Sequence, residues 1–450
     1  MALHTRFPSD FTFGAATAAY QIEGAVNEDG RAPSIWDAFS HTPGKVANDD
    51  TGDVACDHYH RLDEDLDLLS GLGLDAYRFS IAWPRVVPAG RGQVNARGLD
   101  FYDRLVDGCL ERGLTPWATL YHWDLPLALG ERGGWTARAT ADAFADYASV
   151  VVRRLGDRLA AVSTFNEPWC SALMGHLYGV FAPGATDLDQ ALAAVHHQHL
   201  AHGRAVEALR AERAALPVGI VLNLQTVRPA GERDADEEAV KRHRDFHNGL
   251  FTGPLFEGRY PASVVEALGA RLPGGWQDDL AVIRQPLDWW GLNWYTPQRV
   301  SDDPDPDADF PATRALVPAG VPLTDIGWEI APEALADLLR ELRETLDLPP
   351  CWITENGACF NDGPDRRGRI DDAARVDYLE GHLHALADAL EAGCDVRGYF
   401  AWSLMDNFEW AEGYAMRFGL VHVDYATQER TVKRSGAWYR DLVAAHRERR

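Results

Sequence analysis

The chain has 450 residues, of which 46% are hydrophobic and 25% are charged, so it can bury a large core and is not disordered. Its formal net charge of −25 argues against nucleic acids and anionic membranes as partners, because both attract basic surfaces. No run approaches the ~18 apolar residues that a membrane-spanning helix needs.

Eight short apolar segments have the length and composition of buried strands. The first starts near Phe11 and leads into Gln21, and the others are predicted at residues 76–81, 115–121, 159–166, 218–223, 287–295, 351–357 and 396–402. Amphipathic spacing and helix-ending glycines predict helices at residues 56–71, 99–112, 140–155, 186–212, 236–250, 331–346 and 374–392. Residues 301–325 contain five prolines and are predicted as a long loop.

This alternation of strands and helices predicts an α/β protein with a parallel sheet. Eight strand–helix units in one continuous chain favour a closed (β/α)8 TIM barrel, with residues 1–450 as a single domain and the active site at the carboxyl ends of the strands. The main alternative is an open doubly wound sheet. That fold normally has a glycine-rich phosphate-binding turn after its first strand, and Gly14 alone does not make one.

Two of the predicted strands end on a carboxylate beside an amide. Glu167 follows Asn166 in N-E-P, and Glu355 precedes Asn356 in T-E-N-G. An isolated N-E-P is equally compatible with an acidic turn, as short motifs usually are. The second strand end favours a catalytic role for both glutamates, because the cleavage of a glycosidic bond needs a pair of carboxylates.

Five motifs follow one another over nearly the whole chain. They are F-G-A-A with Y-Q-I-E-G at 13–24, H-W-D-L-P at 122–126, T-F-N-E-P at 164–168, T-E-N-G at 354–357 and W-S-L-M-D-N-F-E-W at 402–410. In this order they closely resemble glycoside hydrolase family 1, and in particular its bacterial β-glucosidases. The resemblance implies a retaining mechanism in which Glu355 is the nucleophile and Glu167 the acid/base, with carboxyl groups about 5–5.5 Å apart.

The resemblance also implies roles for further residues. It implies that the hydroxyls of the glycone sugar are bound by Gln21, His122, Asn166, Glu409 and Trp410. It also implies that the sugar ring stacks on Trp402 and that Tyr295 orients the nucleophile. It makes Arg78, Trp123 and Asn293 supporting residues, and it puts Trp328, Cys170 and Asn223 on the aglycone side. Arg78 is also compatible with a structural ion pair and Trp123 with a core position. The family often has tyrosine where this chain has Trp294.

The substrate class depends on two of these glutamates. Relatives that cleave 6-phosphorylated sugars carry small and basic residues where Glu409 stands, and a carboxylate there would repel a phosphate. Plant-type thioglucosidases dispense with the general acid, whereas Glu167 retains it. We therefore expect a retaining, exo-acting β-glucosidase that removes terminal non-reducing β-D-glucosyl residues. The expected substrates are cello-oligosaccharides and aryl or alkyl β-glucosides, and the expected role is in cellulose degradation. Some β-galactosidase or β-fucosidase activity is expected as well. A sugar-binding protein without turnover would need a lost carboxylate, and transglycosylation as the main activity stays open.

Metal, redox and targeting signals are weak in this sequence. Six cysteines without C-x-x-C spacing indicate neither a disulfide framework nor a zinc site. The histidines at 196, 197, 199 and 202 could face together on a helix, but no H-E-x-x-H accompanies them, so we expect no metal and no cofactor.

The first residues lack an apolar signal-peptide core, so a cytoplasmic location is expected. The small-molecule β-glycoside is the expected partner, and the oligomeric state, monomer or homodimer, is left open.

Overall fold

The computed structural model of the protein describes residues 2–305 and 309–449. Its centre is a closed barrel of eight parallel strands, as the sequence predicts, paired in the order β1-β8-β7-β6-β5-β4-β3-β2. The strands are β1 (Thr12–Ala16), β2 (Ala76–Ser80), β3 (Thr115–Tyr121), β4 (Ala161–Asn166), β5 (Val218–Leu222), β6 (Trp290–Asn293), β7 (Cys351–Asn356) and β8 (Val396–Trp402).

Helices connect successive strands around the outside of this barrel. The principal ones are α1 (Leu62–Gly71), α2 (Ala96–Glu111), α3 (Ala139–Leu155), α4 (Leu188–Glu212), α5 (Asp234–Arg244), α6 (Pro332–Thr345), α7 (Ala373–Glu391) and α8 (Arg434–Arg447). Shorter α-helices are Ala19–Ile22, Ile35–Ser40, Trp83–Val86, Leu127–Gly130, Leu250–Thr252, Ala262–Leu268 and Trp276–Ile283. Among the described residues, no helix is both long and apolar enough to cross a membrane.

The predicted loop at 301–325 is partly wrong. Strand Gln298–Asp302 pairs antiparallel with Thr313–Leu316 and parallel with Val227–Pro229, forming a small sheet beside the barrel. Short antiparallel pairing of this kind needs little apolar sequence, so its half-exposed residues carry no strong pattern. Residues 306–308 of the predicted loop lie outside the described residues. A second small pair joins Val421–Val423 to Arg430–Val432.

Aromatic side chains fill the interior of the barrel near the amino ends of its strands. The ring of Trp117 lies 5.0 Å from that of Trp289, 5.2 Å from that of Trp352 and 5.6 Å from that of Phe400, measured between centroids. Gly219 makes room for this cluster, because a Cβ at that position would lie 2.6 Å from the Trp289 ring. Close packing at this end leaves the carboxyl ends of the strands as the place for a cavity.

Register shifts in the barrel occur beside the predicted carboxylates, including one between Ile353 and Asn356 in the pairing of β7 with β8. The pairing of β4 with β5 shifts register between Ser163 and Asn166, and the pairing of β6 with β7 shifts between Ile353 and Glu355. Such irregularities locally bend a strand and re-aim its side chains, and they are frequent next to active sites.

Candidate active site

A cavity of about 480 Å³ opens at the carboxyl ends of the barrel strands. Twelve of the residues singled out from the sequence line it: His122, Trp123, Glu167, Cys170, Asn223, Asn293, Tyr295, Trp328, Glu355, Trp402, Glu409 and Trp410. The other three, Gln21, Arg78 and Asn166, are buried and bonded to residues of this wall. The structure therefore brings all fifteen together.

Glu355 lies at the end of β7 and has a hydrogen-bond donor at each carboxylate oxygen. Arg78 donates from Nη1 to Oε1 over 2.6 Å, and the Tyr295 hydroxyl donates to Oε2 over 2.6 Å. Burial raises the pKa of Glu355, and the positive charge of Arg78 and the Tyr295 hydroxyl oppose that rise. A buried carboxylate paired with a buried guanidinium is stabilised in its ionised form.

Among the described residues, no cation forms an ion pair with the carboxyl group of Glu167. Asn293 donates from Nδ2 to Oε1 over 2.6 Å, and the Cys170 thiol donates to Oε2 over 3.0 Å. Burial, followed by the negative charge of Glu355, raises the pKa of Glu167 to about 7. The two carboxyl groups therefore have different environments, because Glu355 is paired with a guanidinium that favours its ionised form and Glu167 is not, which suits Glu167 to donate a proton.

Side-chain amides connect the two carboxyl groups. Asn166 accepts N–H bonds at Oδ1 from Arg78 Nη2 over 2.7 Å and from Asn293 Nδ2 over 3.0 Å. The Thr354 hydroxyl donates to Asn293 Oδ1 over 2.7 Å, which fixes the orientation of that amide. Each amide is thus held by at least two partners, so the carboxyl groups are positioned by a rigid network.

This network also determines the tautomer of His122. Because Asn166 Oδ1 accepts both neighbouring N–H groups, its Nδ2 is the atom that faces His122 Nε2, at 3.1 Å. His122 Nε2 therefore accepts, and the ring proton lies on Nδ1. Burial and the charge of Arg78 hold the pKa of His122 well below its usual value, so the ring is neutral.

Buried polar atoms beside the cavity that have no protein partner among the described residues include Gln21 Oε1 and His122 Nδ1. Gln21 is fixed by its Nε2, which donates to Asn407 Oδ1 over 2.8 Å and to the Phe408 carbonyl over 2.9 Å. A buried polar atom left unpaired costs about 1–3 kcal/mol. One acceptor and one donor at the cavity are therefore suited to a hydroxylated ligand.

Glu409 completes this side of the cavity. Its Oε2 accepts from Gln21 Nε2 over 3.4 Å. Burial and then the charges of Glu355 and Glu167 raise the pKa of Glu409 to about 8. Three carboxyl groups in one cavity therefore repel one another in their ionised forms, and a bound anion would be repelled as well.

Aromatic rings form the remaining walls. The His122 ring stacks on Trp402 and on Trp410, with interplanar angles of 19° and 16°. Trp410 packs against the core residue Trp36 at 4.6 Å and against Trp123 at 4.5 Å between ring centroids, so its ring is held in place by the core. Trp123 is both largely buried and cavity-lining, and its Nε1 donates to the Asn166 carbonyl over 2.9 Å.

Three residues of the site have left-handed backbone conformations that side chains other than glycine rarely adopt. The φ angles are 80° at Trp123, 44° at Glu167 and 51° at Trp410. Each such residue costs about 1–3 kcal/mol unless its surroundings enforce it, and such residues cluster at functional sites. The fold thus maintains the orientation of these side chains at an energetic cost.

A profile described as glycosyl hydrolase family 1 matches residues 3–448. The chain belongs to glycosyl hydrolase family 1. This family 1 chain is 57% identical over 442 residues to the β-glucosidase of Agrobacterium sp., across 98% of this chain and 96% of that protein. It is 47% identical over 463 residues to the bifunctional β-D-glucosidase/β-D-fucosidase of Bifidobacterium breve, across 98% of this chain and 99% of that protein.

The fold agrees with that of a solved structure from Agrobacterium tumefaciens. The complex of the virulence factor SghA from Agrobacterium tumefaciens with its substrate analogue salicin matches this chain with a TM-score of 0.97. The two chains are 57% identical, and the match covers 98% of this chain and 97% of that one. The family and the closed barrel predicted from the sequence are therefore confirmed.

The family 1 cavity also contains residues that the sequence analysis does not single out. They include Trp169, Met174, Phe181, Gln225, Glu412 and Phe418. Trp169 directly follows the N-E-P motif, and Glu412 lies two positions after Trp410, so proximity to a motif could have indicated both. Met174 ends the helical turn Cys170–Met174, and Phe181, Gln225 and Phe418 lie on loops without a recognisable pattern.

The histidines of α4 lie away from this cavity and have other partners. His196 contacts the Tyr260 hydroxyl at 2.9 Å and Asp279 at 3.0 Å, and His202 contacts the Thr164 hydroxyl at 2.7 Å. In residues 2–305 and 309–449, no group of three or more ligand-type side chains is arranged to hold a metal ion. That the protein needs no metal stays a prediction.

Proposed function

We propose that this single-domain chain is a retaining, exo-acting β-glucosidase that works by double displacement. The observation that carries the proposal is the contrast between two neighbouring carboxyl groups. Glu355 is bonded to Arg78, whereas Glu167 has only neutral donors and a pKa raised to about 7. Retaining hydrolysis requires one ionised nucleophile and one protonated acid.

In the first step, Glu355 attacks the anomeric carbon and Glu167 gives its proton to the leaving oxygen. The bond from Arg78 to Glu355 keeps the nucleophile ionised, and the Tyr295 hydroxyl orients its second oxygen. The product is a covalent glycosyl ester on Glu355 and a free alcohol.

In the second step, water attacks the ester. Esterification removes the negative charge of Glu355, and that charge is one cause of the raised pKa of Glu167. The pKa of Glu167 therefore falls, so the deprotonated carboxylate can accept a proton from water. Glucose leaves with its β configuration retained.

Buried polar groups on one wall are proposed to select the glucosyl residue. Gln21 Oε1 and His122 Nδ1 lack protein partners among the described residues, which suits them to an adjacent pair of sugar hydroxyls. The Asn166 amide is proposed to hold the 2-hydroxyl, with Trp402 beneath the apolar face of the ring. The ring of Trp410 packs on the core residue Trp36 with centroids 4.6 Å apart, and this packing supports exo action.

The leaving group is proposed to occupy the outer cavity beside Trp328. This ring lies 5.2 Å from that of Tyr295 and 5.8 Å from that of Phe418, between centroids. Cello-oligosaccharides and aryl or alkyl groups would both find apolar surface there, and cellulose degradation is the corresponding role. The bifunctional relative from Bifidobacterium breve supports some β-fucosidase activity, and we propose the same for β-galactosides.

The purified protein should therefore hydrolyse phenyl β-glucoside and cellobiose, with EDTA having no effect. Phenyl α-glucoside and 6-phosphorylated β-glucosides are the matched controls and should be poor substrates. Absence of turnover with intact sugar binding would indicate a binding protein instead. Quantifying glucose against transfer products from cellobiose distinguishes hydrolysis from transglycosylation.

Glu409→Ser should reduce kcat/KM for phenyl β-glucoside by roughly 10- to 100-fold, because one hydroxyl cannot replace both carboxyl oxygens as partners of two sugar hydroxyls. Glu429→Ser is the control, since Glu429 is an exposed glutamate outside the cavity lining. Steady-state kinetics measure both variants. Wild-type kinetics for Glu409→Ser would remove that residue from the glycone site.

A further inference from the structure

Cys170 contacts the proposed acid/base directly. Cys170 and Glu167 lie three positions apart, joined by a tight turn in which the Cys170 amide donates to the Glu167 carbonyl over 2.9 Å. The thiol lies 3.0 Å from Glu167 Oε2 and is largely buried, at 8% exposure. Its position is therefore at the carboxyl group as well as on the aglycone side of the cavity.

A neighbouring amide orients this thiol. Asn223, just after β5, donates from Nδ2 to Cys170 Sγ over 3.7 Å. Because this amide occupies the acceptor side of the sulfur, the single S–H proton is directed at Glu167 Oε2. Burial followed by the charge of Glu167 holds the pKa of the Cys170 thiol well above its usual value, so the thiol keeps its proton.

We propose that Cys170 is a positioning residue for the acid/base, whose thiol holds Glu167 Oε2 and stabilises the carboxylate after proton transfer. No proton leaves the sulfur in either step. The proposal rests on the proposed function, because it assigns the thiol to the group that protonates the leaving oxygen. The thiol donates to Glu167 Oε2, and a donor at a carboxyl group favours its ionised form over its protonated form.

Other charged and titratable groups near Glu167 also influence its ionisation. Glu355 on β7 raises the pKa of Glu167 and Arg78 on β2 lowers it, while Glu167 in turn raises the pKa of Glu409 after β8. Tyr295 after β6 is un-ionised because burial and the neighbouring carboxylates raise its pKa, and His122 after β3 is neutral. Asn293 and Cys170 are the two uncharged donors to the carboxyl group itself.

The test compares pH profiles of kcat/KM for phenyl β-glucoside, whose leaving group needs protonation. The alkaline limb of this profile reports the acid of the free enzyme. Cys170→Val replaces the thiol by apolar methyl groups and so removes the S–H donor, which should move the alkaline midpoint upward by about 0.5 to 1 pH unit, since a donor to a charged group favours ionisation. Cys170→Ser retains a donor, so its midpoint should stay nearer to wild type.

Two controls separate this effect from a general disturbance. Cys109→Val changes a buried cysteine on α2, outside the cavity lining, and should leave the midpoint unchanged. With dinitrophenyl β-glucoside, whose leaving group needs no proton, Cys170→Val should show the wild-type alkaline limb. If Cys170→Val does not fold, Cys170→Ala provides the same measurement.

The role of the Cys170 thiol and the β-glucosidase assignment fail on different results. The role of the thiol would be overturned if wild type and Cys170→Val had the same alkaline midpoint, or if Cys170→Val and Cys170→Ser shifted it equally. Either result would leave the β-glucosidase assignment intact. An inactive wild-type enzyme, or a Glu167→Gln variant that hydrolyses phenyl β-glucoside normally, would instead overturn the proposed function.

Discussion

Glu355→Gly is expected to lower kcat for an aryl β-glucoside by roughly 10⁴- to 10⁶-fold, the scale on which an enzyme loses its nucleophile. The fold should survive, because the glycine removes a side chain from a cavity wall and does not add one. Arg78 and Tyr295 would then face the space that the carboxylate occupied. That space can admit a small anion such as azide or formate.

Added azide should restore turnover of this variant with an activated β-glucoside. The anion would attack the anomeric carbon from the side of the missing carboxylate, so the product should be the α-glucosyl azide, with inverted configuration. Glu355→Gln is the matched control, because its amide fills the same space and azide should not rescue it. A β-configured azide product from Glu355→Gly would contradict the nucleophile assignment.

Glu167→Ala is expected to fail at a different step. For phenyl β-glucoside, kcat/KM should fall by roughly 10²- to 10⁴-fold, the contribution of a general acid. Dinitrophenyl β-glucoside needs no protonation, so formation of the glycosyl ester should stay fast while its hydrolysis slows for want of a base. Stopped-flow measurement should then show a burst of dinitrophenolate followed by slow turnover.

Azide should accelerate the slow step of Glu167→Ala. It would attack the ester on Glu355 from the face that water normally uses, which gives the β-glucosyl azide. Proton NMR of the anomeric signals identifies both products. An α-azide from this variant, together with a β-azide from Glu355→Gly, would exchange the two assignments.

The barrel itself was predictable because its strands are buried on both faces. Continuous apolar runs such as that of Val218–Leu222 differ sharply from their surroundings, and amphipathic helices of suitable length separate them. Helix α8 is absent from the predictions, although Tyr439, Leu442 and Val443 have helical spacing and are buried. Its many charged residues lower the apolar contrast on which such predictions depend.

The candidate site was predictable as a set of residues and less so as a set of contacts. The motifs bring Glu167 and Glu355 to the ends of their strands, but no pattern indicates that Asn166 fixes the proton of His122 on Nδ1. The bond from Cys170 to Glu167 likewise depends on a tight turn and on Asn223, which is distant in sequence. Hydrogen-bond networks depend on orientations that spacing alone does not determine.

The central claim is that Glu355 becomes glycosylated during turnover. Incubating the enzyme with dinitrophenyl 2-deoxy-2-fluoro-β-glucoside should trap this ester, because fluorine at C2 slows both its formation and its hydrolysis, whereas the good leaving group keeps its formation fast. Mass spectrometry of the digested protein should then find one fluoroglucosyl group, on the peptide that contains Glu355. A label on the peptide with Glu167, or rapid turnover to an α-configured sugar with no label, would contradict the account.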